Sequence, residues 1–205
     1  MVSSLFSEAT FSRLEALAKA NAEIYRTNSP FPHIAIDDFL PADALDGALA
    51  EFPNATDIPW IRFDNPEEKK LAFNEIERLP AALRDVFYFM NSAPVLRFLE
   101  ELTGIEDLLP DPYYVGGGLH NIRRGGHLGV HVDFNRYKRF GIDRRLNMLV
   151  YLNRNWDESY GGHLELWDRG MESCVKRIAP IFNRCVVFST TETSYHGHPE
   201  PLTCP

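Results

Sequence analysis

The sequence has few cysteines, no long apolar run and no excess of basic residues, and each absence excludes a class of protein. Three cysteines occur in 205 residues, and none forms a C-x-x-C pair, so neither a disulfide framework nor a zinc clamp is expected. No apolar run reaches about 18 residues, and the N-terminus lacks the basic and then apolar order of a secretory signal. We therefore expect a cytoplasmic protein without a membrane partner.

The charge balance excludes a general affinity for nucleic acid. The chain carries 21 Lys and Arg against 29 Asp and Glu, which gives a formal net charge of -8. Hydrophobic residues make up 44% and aromatic residues 12% of the chain, which is enough to build a core and excludes wholesale disorder. The length corresponds to one domain, which we expect to cover residues 1–205.

The character of the sequence changes near Pro110, from helical periodicity to short strand-like runs. Apolar residues recur at helical spacing in four segments of the first part, residues 1–110, and a strand is predicted at Ile34–Leu40. Pro94 and Gly104 are expected start and stop signals of the fourth helix. The predicted helical segments are Phe11–Tyr25, Leu45–Phe52, Leu83–Met90 and Ser92–Leu102.

The second part, residues 111–205, contains many short strand-like runs separated by Gly-rich turns. This pattern predicts a β-sandwich or barrel, so the fold class is α+β, with an antiparallel β half packed on helices. The predicted strands are Tyr113–Arg123, Leu128–Asp133, Leu146–Leu152, His163–Asp168, Cys174–Ile178, Arg184–Ser189 and Ser194–His198.

Three side chains in this β half have the types required for a metal site. His131 and Asp133 are two residues apart in the run LGVHVDFN, and residues two apart on a strand point to the same face. His196, on a later strand-like run, can supply the third ligand. Two histidines and one carboxylate on one face form the facial triad of non-haem Fe(II) oxygenases. The other histidines, His120, His127, His163 and His198, are not expected to be ligands.

Larger motifs surround these ligands. The runs LGVHVDFN, RRLNMLVYLNRNWDESYGGHLELW and IAPIFNRCVVFSTTETSYHGHP follow one another between residues 119 and 200, and HIAIDDFLP leads into the predicted helix Leu45–Phe52. Together they resemble the prolyl 4-hydroxylase-like family of 2-oxoglutarate/Fe(II)-dependent dioxygenases. The resemblance implies a double-stranded β-helix, or jelly roll, with the N-terminal helices packed on one face.

The resemblance also implies a cofactor set and a reaction. His131, Asp133 and His196 would hold Fe(II), with 2-oxoglutarate as cosubstrate, dioxygen as oxidant and ascorbate as reductant. The expected reaction is hydroxylation of an unactivated C–H bond in a prolyl or other amino-acid residue or in a small metabolite. By position in the family motifs, Tyr151, Asn121 and Leu164 would contact 2-oxoglutarate.

The sequence departs from the family at its C-terminal end. The family places an Arg or Lys about nine or ten positions after the distal histidine, where it pairs with the far carboxylate of 2-oxoglutarate. Counted from His196, that position falls at Pro205, the last residue. Either the chain ends just before the anchoring strand or another cation substitutes. We expect a C-terminally truncated domain whose final strand is missing and whose anchoring cation lies just after Pro205.

Basic residues cluster between the first ligand pair and the next strand. Arg136, Arg144 and Arg145 could form a clamp for a substrate that carries a carboxylate or phosphate, although a solvated loop would have the same composition. Two other functions stay open. One is a non-catalytic metal-binding β-roll that acts as a sensor or scaffold, and the other is a cupin-type enzyme, which would require an H-x-H pair and a glutamate ligand.

Overall fold

The computed structural model describes residues 4–205, which form two compact units. We call the first the helical unit; it consists of the chain up to Tyr25 together with Asp38–Phe63 and Leu71–Asn121. The second, the sheet unit, consists of Arg26–Asp37, Asp64–Lys70 and Ile122–Pro205. Both units are therefore discontinuous in sequence.

Four α-helices lie in the helical unit, apart from the last two residues of the first, and all four predicted helical segments are confirmed. They are α1 (Glu8–Thr27), α2 (Ala42–Ala50), α3 (Ala81–Met90) and α4 (Ala93–Thr103). Helix α4 has Pro94 in its first turn and ends at Gly104, whose φ of 72° is left-handed. Both expected boundary signals are thus used, because proline fits the first helical turn and glycine tolerates a left-handed C-cap. No helix in residues 4–205 is long and apolar enough to cross a membrane.

The core of the helical unit is built from the apolar stripes of these helices. Leu14, Ala18 and Tyr25 of α1 are almost fully buried, whereas Ile24, which the periodicity also assigned to the stripe, is 48% exposed. Each helical residue is rotated by about 100° from its neighbour, which places Ile24 to one side of the stripe formed by Leu14, Ala18 and Tyr25. Phe39 packs against Phe98 with ring centroids 5.3 Å apart.

Two antiparallel sheets and a separate two-stranded hairpin form the sheet unit. The smaller sheet has the order β1-β11-β8, with strands β1 (His33–Ile36), β11 (Cys185–Ser189) and β8 (Leu146–Val150). The larger sheet contains the strand order β10-β9-β12-β5-β3, in which β12 and β5 carry the candidate ligand histidines. These strands are β10 (Cys174–Ile178), β9 (Leu164–Trp167), β12 (His196–His198), β5 (His127–His131) and β3 (Glu68–Phe73).

Buried side chains from both sheets meet in one core. Leu164, Leu166 and Ile178 come from the larger sheet, and Val186 and Phe188 come from β11 of the smaller sheet. Apolar side chains that alternate along each strand therefore face one another between the sheets, as in a β-sandwich or a double-stranded β-helix. This is the β architecture that the sequence predicts.

Several predicted strands differ from the observed ones. Strand β1 ends at Ile36 and not at Leu40, and only β4 (Leu119–Asn121) is extended within the predicted strand Tyr113–Arg123. Gly116 and Gly118 precede β4 with φ of 74° and 102°, values that a strand does not have. The sequence predicted that Asp133 would be the last residue of its strand. Strand β5 instead ends at His131, so Asp133 lies two residues beyond it.

Four strands were not predicted. They are β2 (Ile61–Asp64), the adjoining β3, β6 (Arg136–Tyr137) and β7 (Ile142–Asp143). The residues of β2 are largely exposed, and β6 and β7 contain two residues each, so none shows a run of alternating apolar side chains. The β2–β3 hairpin is where the chain passes from the helical unit into the sheet unit and back.

Candidate metal centre

Two adjacent strands of the larger sheet place the two histidines side by side. His131, the last residue of β5, is paired in register with His196, the first residue of β12, and their ring centroids are 4.5 Å apart. A Cβ atom on Gly197 would lie 2.7 Å from the Gly129 carbonyl oxygen. Glycine at this position therefore allows β12 to approach β5 closely enough for the two rings to meet.

The carboxylate of Asp133 lies close to the Nε2 atoms of both imidazole rings. The Nε2 atom of His131 is 3.8 Å from Asp133 Oδ1, and the Nε2 atom of His196 is 3.5 Å from Asp133 Oδ2. One potential ligand atom from each of the three residues lies within 4.8 Å of the others. In the described part of the chain, this is the only group of three or more His, Cys, Asp or Glu side chains with such spacing.

Both histidines have their tautomer fixed by a backbone carbonyl. His131 Nδ1 is 2.9 Å from the Gly129 oxygen, and His196 Nδ1 is 2.9 Å from the Ser194 oxygen. A carbonyl oxygen can only accept, so each Nδ1 must carry the proton and donate it. In the neutral rings Nε2 then has a free lone pair, which is the state that a metal ligand needs.

Asp133 is held in its anionic form by its neighbours. Burial raises the pKa of this carboxyl group, but the charge of Arg144, the neighbouring imidazoles and a hydrogen bond from Asn147 together outweigh it, so the pKa lies below its usual range. Asn147 Nδ2 donates to Asp133 Oδ2, and Arg144 Nη2 is 3.4 Å from the same oxygen. The carboxylate is thus ionised and oriented before any cation binds.

His196 is held in its neutral form. Burial lowers its pKa, and this effect exceeds the opposing attraction of the Asp133 carboxylate. The ring packs against Phe188 with centroids 4.7 Å apart, so a buried aromatic side chain fixes its plane. Two neutral imidazoles and one carboxylate are the donor set expected for a divalent transition metal.

The three residues predicted to contact 2-oxoglutarate lie in different parts of the fold. Leu164 begins β9 and is buried in the core of the sheet unit, and Tyr151 packs against that core just after β8. Burial raises the pKa of the Tyr151 phenol, which is therefore protonated and able to donate. Asn121 ends β4, opposite Leu71 of β3, and belongs to the helical unit.

Of the three arginines predicted to bind substrate, the structure places one at the metal centre. Arg136 is exposed and forms a 2.7 Å ion pair with Asp143 across the β6–β7 hairpin. Arg145 is also exposed, and its backbone oxygen accepts a hydrogen bond from Thr190. Arg144 is largely buried beside Asp133, and Asn147 Oδ1 accepts a hydrogen bond from its Nη2.

Two of the histidines not expected to be ligands lie outside the triad. His163 makes a 2.7 Å contact with Glu158, which occupies its Nε2. His198 is buried, and desolvation, with repulsion from His127 and Lys70, lowers its pKa to about 4. Neither belongs to the group of residues that could hold a metal.

The sequence analysis did not predict that Asn147 contacts the Asp133 carboxylate, although the sequence contained a sign that this residue has a partner. Asn147 is a polar residue within the apolar strand β8, and a buried amide of this kind needs partners. The carbonyls of Gly129 and Ser194 left no signal in the sequence, because every residue has one. Their role depends on the position of each carbonyl two residues before a histidine.

Fold and site together define a class of protein. Two antiparallel sheets share one core, and a 2-His-1-carboxylate group lies on adjacent strands of the larger sheet. That donor set, with its remaining coordination positions free for other molecules, is characteristic of non-haem Fe(II) oxygenases.

Comparison with protein families identifies this class independently. Residues 117–205 match the model of the 2OG-Fe(II) oxygenase superfamily. This segment contains all three triad residues, and its match to the superfamily model confirms the resemblance found in the sequence. The match implies Fe(II) and 2-oxoglutarate as cofactor and cosubstrate. The cupin alternative has no support, since Asp133 occupies the position of the second histidine in H-x-H.

Solved structures show the same fold. The chain resembles a prolyl hydroxylase from Trichoplax adhaerens in complex with a peptide fragment of the hypoxia inducible factor oxygen degradation domain, with a TM-score of 0.62, 20% identity, and coverage of 96% of this chain and 88% of that one. A prolyl-4-hydroxylase from Pseudomonas putida matches with a TM-score of 0.62 and 19% identity, and the match covers 90% of this chain and 92% of that one. A prolyl 4-hydroxylase from Phytophthora capsici matches with a TM-score of 0.57 and 22% identity, and the match covers 94% of this chain and 60% of that one. No curated protein matches the chain.

Proposed function

We propose that the chain is an Fe(II)- and 2-oxoglutarate-dependent dioxygenase in which His131, Asp133 and His196 hold the metal and whose reaction hydroxylates an unactivated C–H bond. The observation that carries this proposal is the arrangement of the triad. Both Nε2 atoms face one carboxylate, with both Nδ1 atoms committed to backbone carbonyls.

The residues of the chain would perform three tasks around the metal. The triad would hold Fe(II) by one face, and Asn147 and Arg144 would keep the Asp133 carboxylate oriented and anionic. Tyr151, protonated at neutral pH, would donate to a carboxylate of 2-oxoglutarate, with Leu164 as an apolar wall. When bound, Fe(II) with 2-oxoglutarate supplies the activation of dioxygen.

The proposed substrate is a prolyl or other amino-acid residue in a peptide, or a small metabolite. The fold shared with prolyl hydroxylases supports the first class, because one of those structures holds a peptide fragment. Arg136 and Arg145, exposed on and beside the β6–β7 hairpin, would contact an acidic part of such a substrate. We also propose ascorbate as the reductant and a cytoplasmic location.

Metal binding and succinate release by the chain test this proposal. Mn²⁺ can replace Fe(II) for binding measurements, because it takes the same nitrogen and oxygen ligands. We expect His131→Ala and Asp133→Ala to abolish specific Mn²⁺ binding in calorimetry and Fe(II)-dependent succinate release from 2-oxoglutarate. The control is His163→Ala, which removes a histidine paired with Glu158 and should leave both measurements unchanged.

The outcomes separate the two functions that the sequence left open. Loss of binding in both triad variants, with far-UV circular dichroism unchanged, would support the ligand assignment. Undiminished Mn²⁺ binding by His131→Ala would contradict it. Mn²⁺ binding by the unmodified chain without succinate release would favour the non-catalytic sensor or scaffold.

A further inference from the structure

The larger sheet has a cavity on the face that points away from the metal centre. Leu164 and Leu166 of β9 point into the core between the sheets, so Glu165, which lies between them, points to the opposite face. A cavity of about 650 Å³ opens on this face, and Glu165 is part of its lining. Val130 of β5, which also lines it, precedes His131 and so points away from the triad. We call this space the outer cavity.

Glu165 is a buried carboxylate with one unused acceptor position. Only 5% of the residue is exposed. Its Oε1 atom accepts two hydrogen bonds from Arg177, from Nε at 2.9 Å and from Nη2 at 2.7 Å. Its Oε2 atom accepts one, from Trp167 Nε1 at 3.1 Å. Each carboxylate oxygen has two lone pairs, so Oε2 can accept a further hydrogen bond from a molecule in the cavity.

The charges that line the outer cavity favour a cation. Arg177 offsets the charge of Glu165, but the exposed Glu200 has no ion-pair partner in residues 4–205. The lining therefore has an excess of one negative charge, on a chain whose net charge is -8. An anion would be repelled by both carboxylates, whereas a cation can pair with Glu200 and donate to Glu165.

The remaining walls suit an aliphatic stem that carries such a cation. Val130, Val175, Pro199 and Trp167 provide apolar and aromatic surface. The methylene stems of lysine and arginine pack against apolar side chains, and an indole ring attracts a cation over its face. A purely apolar ligand would instead desolvate Glu200 without giving it a partner. An ammonium or guanidinium group on a short aliphatic chain therefore fits the whole lining.

We infer that the outer cavity binds a lysine or arginine side chain of an extended segment of a partner protein. Strand β10, which contributes Val175 and Arg177 to the lining, is an edge strand of the larger sheet. Its outer edge pairs with no other strand of the described residues, so a peptide backbone can run along it while a basic side chain enters the cavity. The site lies on the sheet face opposite the triad and does not depend on the proposed function.

Titrations of the ¹⁵N-labelled chain followed by nuclear magnetic resonance test this inference. The reporter is the indole N–H of Trp167, which donates to Glu165 and is one of three tryptophan signals, assigned by its loss in Trp167→Phe. The probe is the tripeptide acetyl-Gly-Arg-Gly-amide at millimolar concentration. Tripeptides with Gln or Glu in place of Arg give the neutral and acidic comparisons, and n-propylguanidinium represents the side chain without a peptide.

We expect the arginine tripeptide to shift the Trp167 signal in a saturable way, and the glutamine and glutamate tripeptides to leave it in place. Glu200→Gln should weaken this binding by about threefold or more, because an exposed charge pair is lost. Glu192→Gln is the matched control, since it removes the same charge from an exposed residue outside the cavity. Glu165→Gln should also weaken binding, and the backbone amide spectrum shows whether each variant is folded.

Each other outcome contradicts the inference. If the arginine tripeptide binds no better than the glutamine tripeptide, or if Glu200→Gln equals Glu192→Gln, the outer cavity does not recognise a basic side chain. A shift caused by the acidic tripeptide would assign the cavity to an anion. Binding of n-propylguanidinium without binding of the arginine tripeptide would assign it to a free small cation. All of these measurements are made without a metal, so the proposed function stands or falls separately.

Discussion

The same local geometry recurs at three histidines of the sheet unit. His33, His131 and His196 each direct Nδ1 to the carbonyl oxygen two residues earlier in the chain, at 2.8 to 2.9 Å. Only His131 and His196 also have a carboxylate within 4 Å of Nε2. The backbone therefore sets the tautomer of all three rings, but the neighbouring Asp133 makes two of them parts of a metal centre.

Asn147 is expected to control how Asp133 presents its oxygens to a cation. Its amide donates to Asp133 Oδ2 and accepts from Arg144, so it bridges the carboxylate and the guanidinium, whose Nη2 lies 3.4 Å from the same oxygen. We expect Asn147→Ala to weaken Mn²⁺ binding by roughly 10- to 100-fold, the usual effect of losing a partner of a metal ligand. Calorimetry at neutral pH measures this change.

Asn135→Ala is the matched control. Asn135 lies two residues from Asp133, and the group it contributes to Arg144 is the backbone oxygen, which alanine retains. Mn²⁺ affinity in Asn135→Ala should equal that of the unmodified chain. Equal losses in the two variants would show that Asn147 acts through the fold of the loop and not through Asp133.

For single residues, the sequence predicted which side chains are candidate metal ligands, but it did not predict which side chains contact one another. H-x-D and the distal histidine were identifiable because ligand chemistry requires particular side chains. The placement of Arg144 and Arg136 was not, because both are arginines in one basic stretch. Which of them is buried depends on Phe134 and Asp143, and each of these contacts exists only after the hairpin has formed.

Among the elements, the contact between β5 and β12 matters most for the site. Their pairing opposes His196 to His131, and the register shifts before His198 pairs with Leu128. At this irregularity Gly197 faces the backbone of β5, where an added Cβ would lie 2.8 Å from the Leu128 oxygen. The distance between the two ligand histidines thus depends on a residue that has no side chain.

We expect Gly197→Ala to separate the two strands. A Cβ inside 3 Å of two backbone oxygens forces the backbone to move, and overpacking of this kind costs about 1–3 kcal/mol of unfolding free energy. Since His196 is adjacent, Mn²⁺ binding should also be lost or strongly weakened. Urea unfolding and calorimetry measure the two effects.

Gly47→Ala provides a control for the same chemical change. Gly47 lies inside α2, and a Cβ there would contact the Ala82 side chain at an ordinary 3.6 Å. Helix propensity favours alanine, so the free energy of unfolding should stay the same or rise by up to about 1 kcal/mol. A Gly197→Ala chain with unchanged stability and Mn²⁺ affinity would contradict the role of the close approach.

The elements themselves were predictable where their periodicity was strong. All four helices and the strands β5 and β8 to β12 were predicted within a few residues. The helices and the strands β9 and β11 were predictable because their apolar residues are buried at regular positions. Strands β2 and β3 were missed because residues 61–70 are mostly polar and their pairing depends on neighbouring strands. Such strands owe their conformation to tertiary contacts and not to their own side chains.

For the molecule as a whole, the sheet order could not be derived from periodicity. Strands β5 and β12 are neighbours although 64 residues separate His127–His131 from His196–His198. A hairpin rule would pair consecutive strands, and here β12 lies between β5 and β9. The juxtaposition of the ligands was therefore predicted only through the family resemblance, which carries a topology that local patterns do not contain.

Long-range contacts of this kind also join β1 to the turn before β11. Arg184 donates from Nε and Nη2 to the two oxygens of Asp37, at 2.6 and 2.9 Å, and from Nη1 to the Ala179 oxygen. The ion pair joins residues 147 positions apart, and it extends the β1–β11 pairing beyond Ile36 and Cys185. A paired cation with three acceptors makes this contact stronger than a typical surface pair.

The stability of the sheet unit should therefore depend on pH through Asp37. The hydrogen bond from Arg184 lowers the pKa of this carboxyl group, so its stabilising effect is complete above the unfolded-state pKa of about 3.9 and disappears as the pH falls through the lower folded-state value. We expect Asp37→Asn to reduce the unfolding free energy by up to about 1 kcal/mol at pH 7, because half of the Asp37 side chain is exposed and solvent screens the pair. The difference between the two chains should shrink below about pH 4.

Urea unfolding at several pH values measures this difference, with Asp64→Asn as the control. Asp64 is 77% exposed and lies 3.7 Å from Lys69, so its loss should change the unfolding free energy by less than about 0.5 kcal/mol at any pH. A deficit in Asp37→Asn that persists unchanged at acid pH would show that the substitution acts through packing. The ion pair would then contribute nothing to holding β1 against β11, and the pairing of Ile36 with Cys185 would have to stabilise that edge by itself.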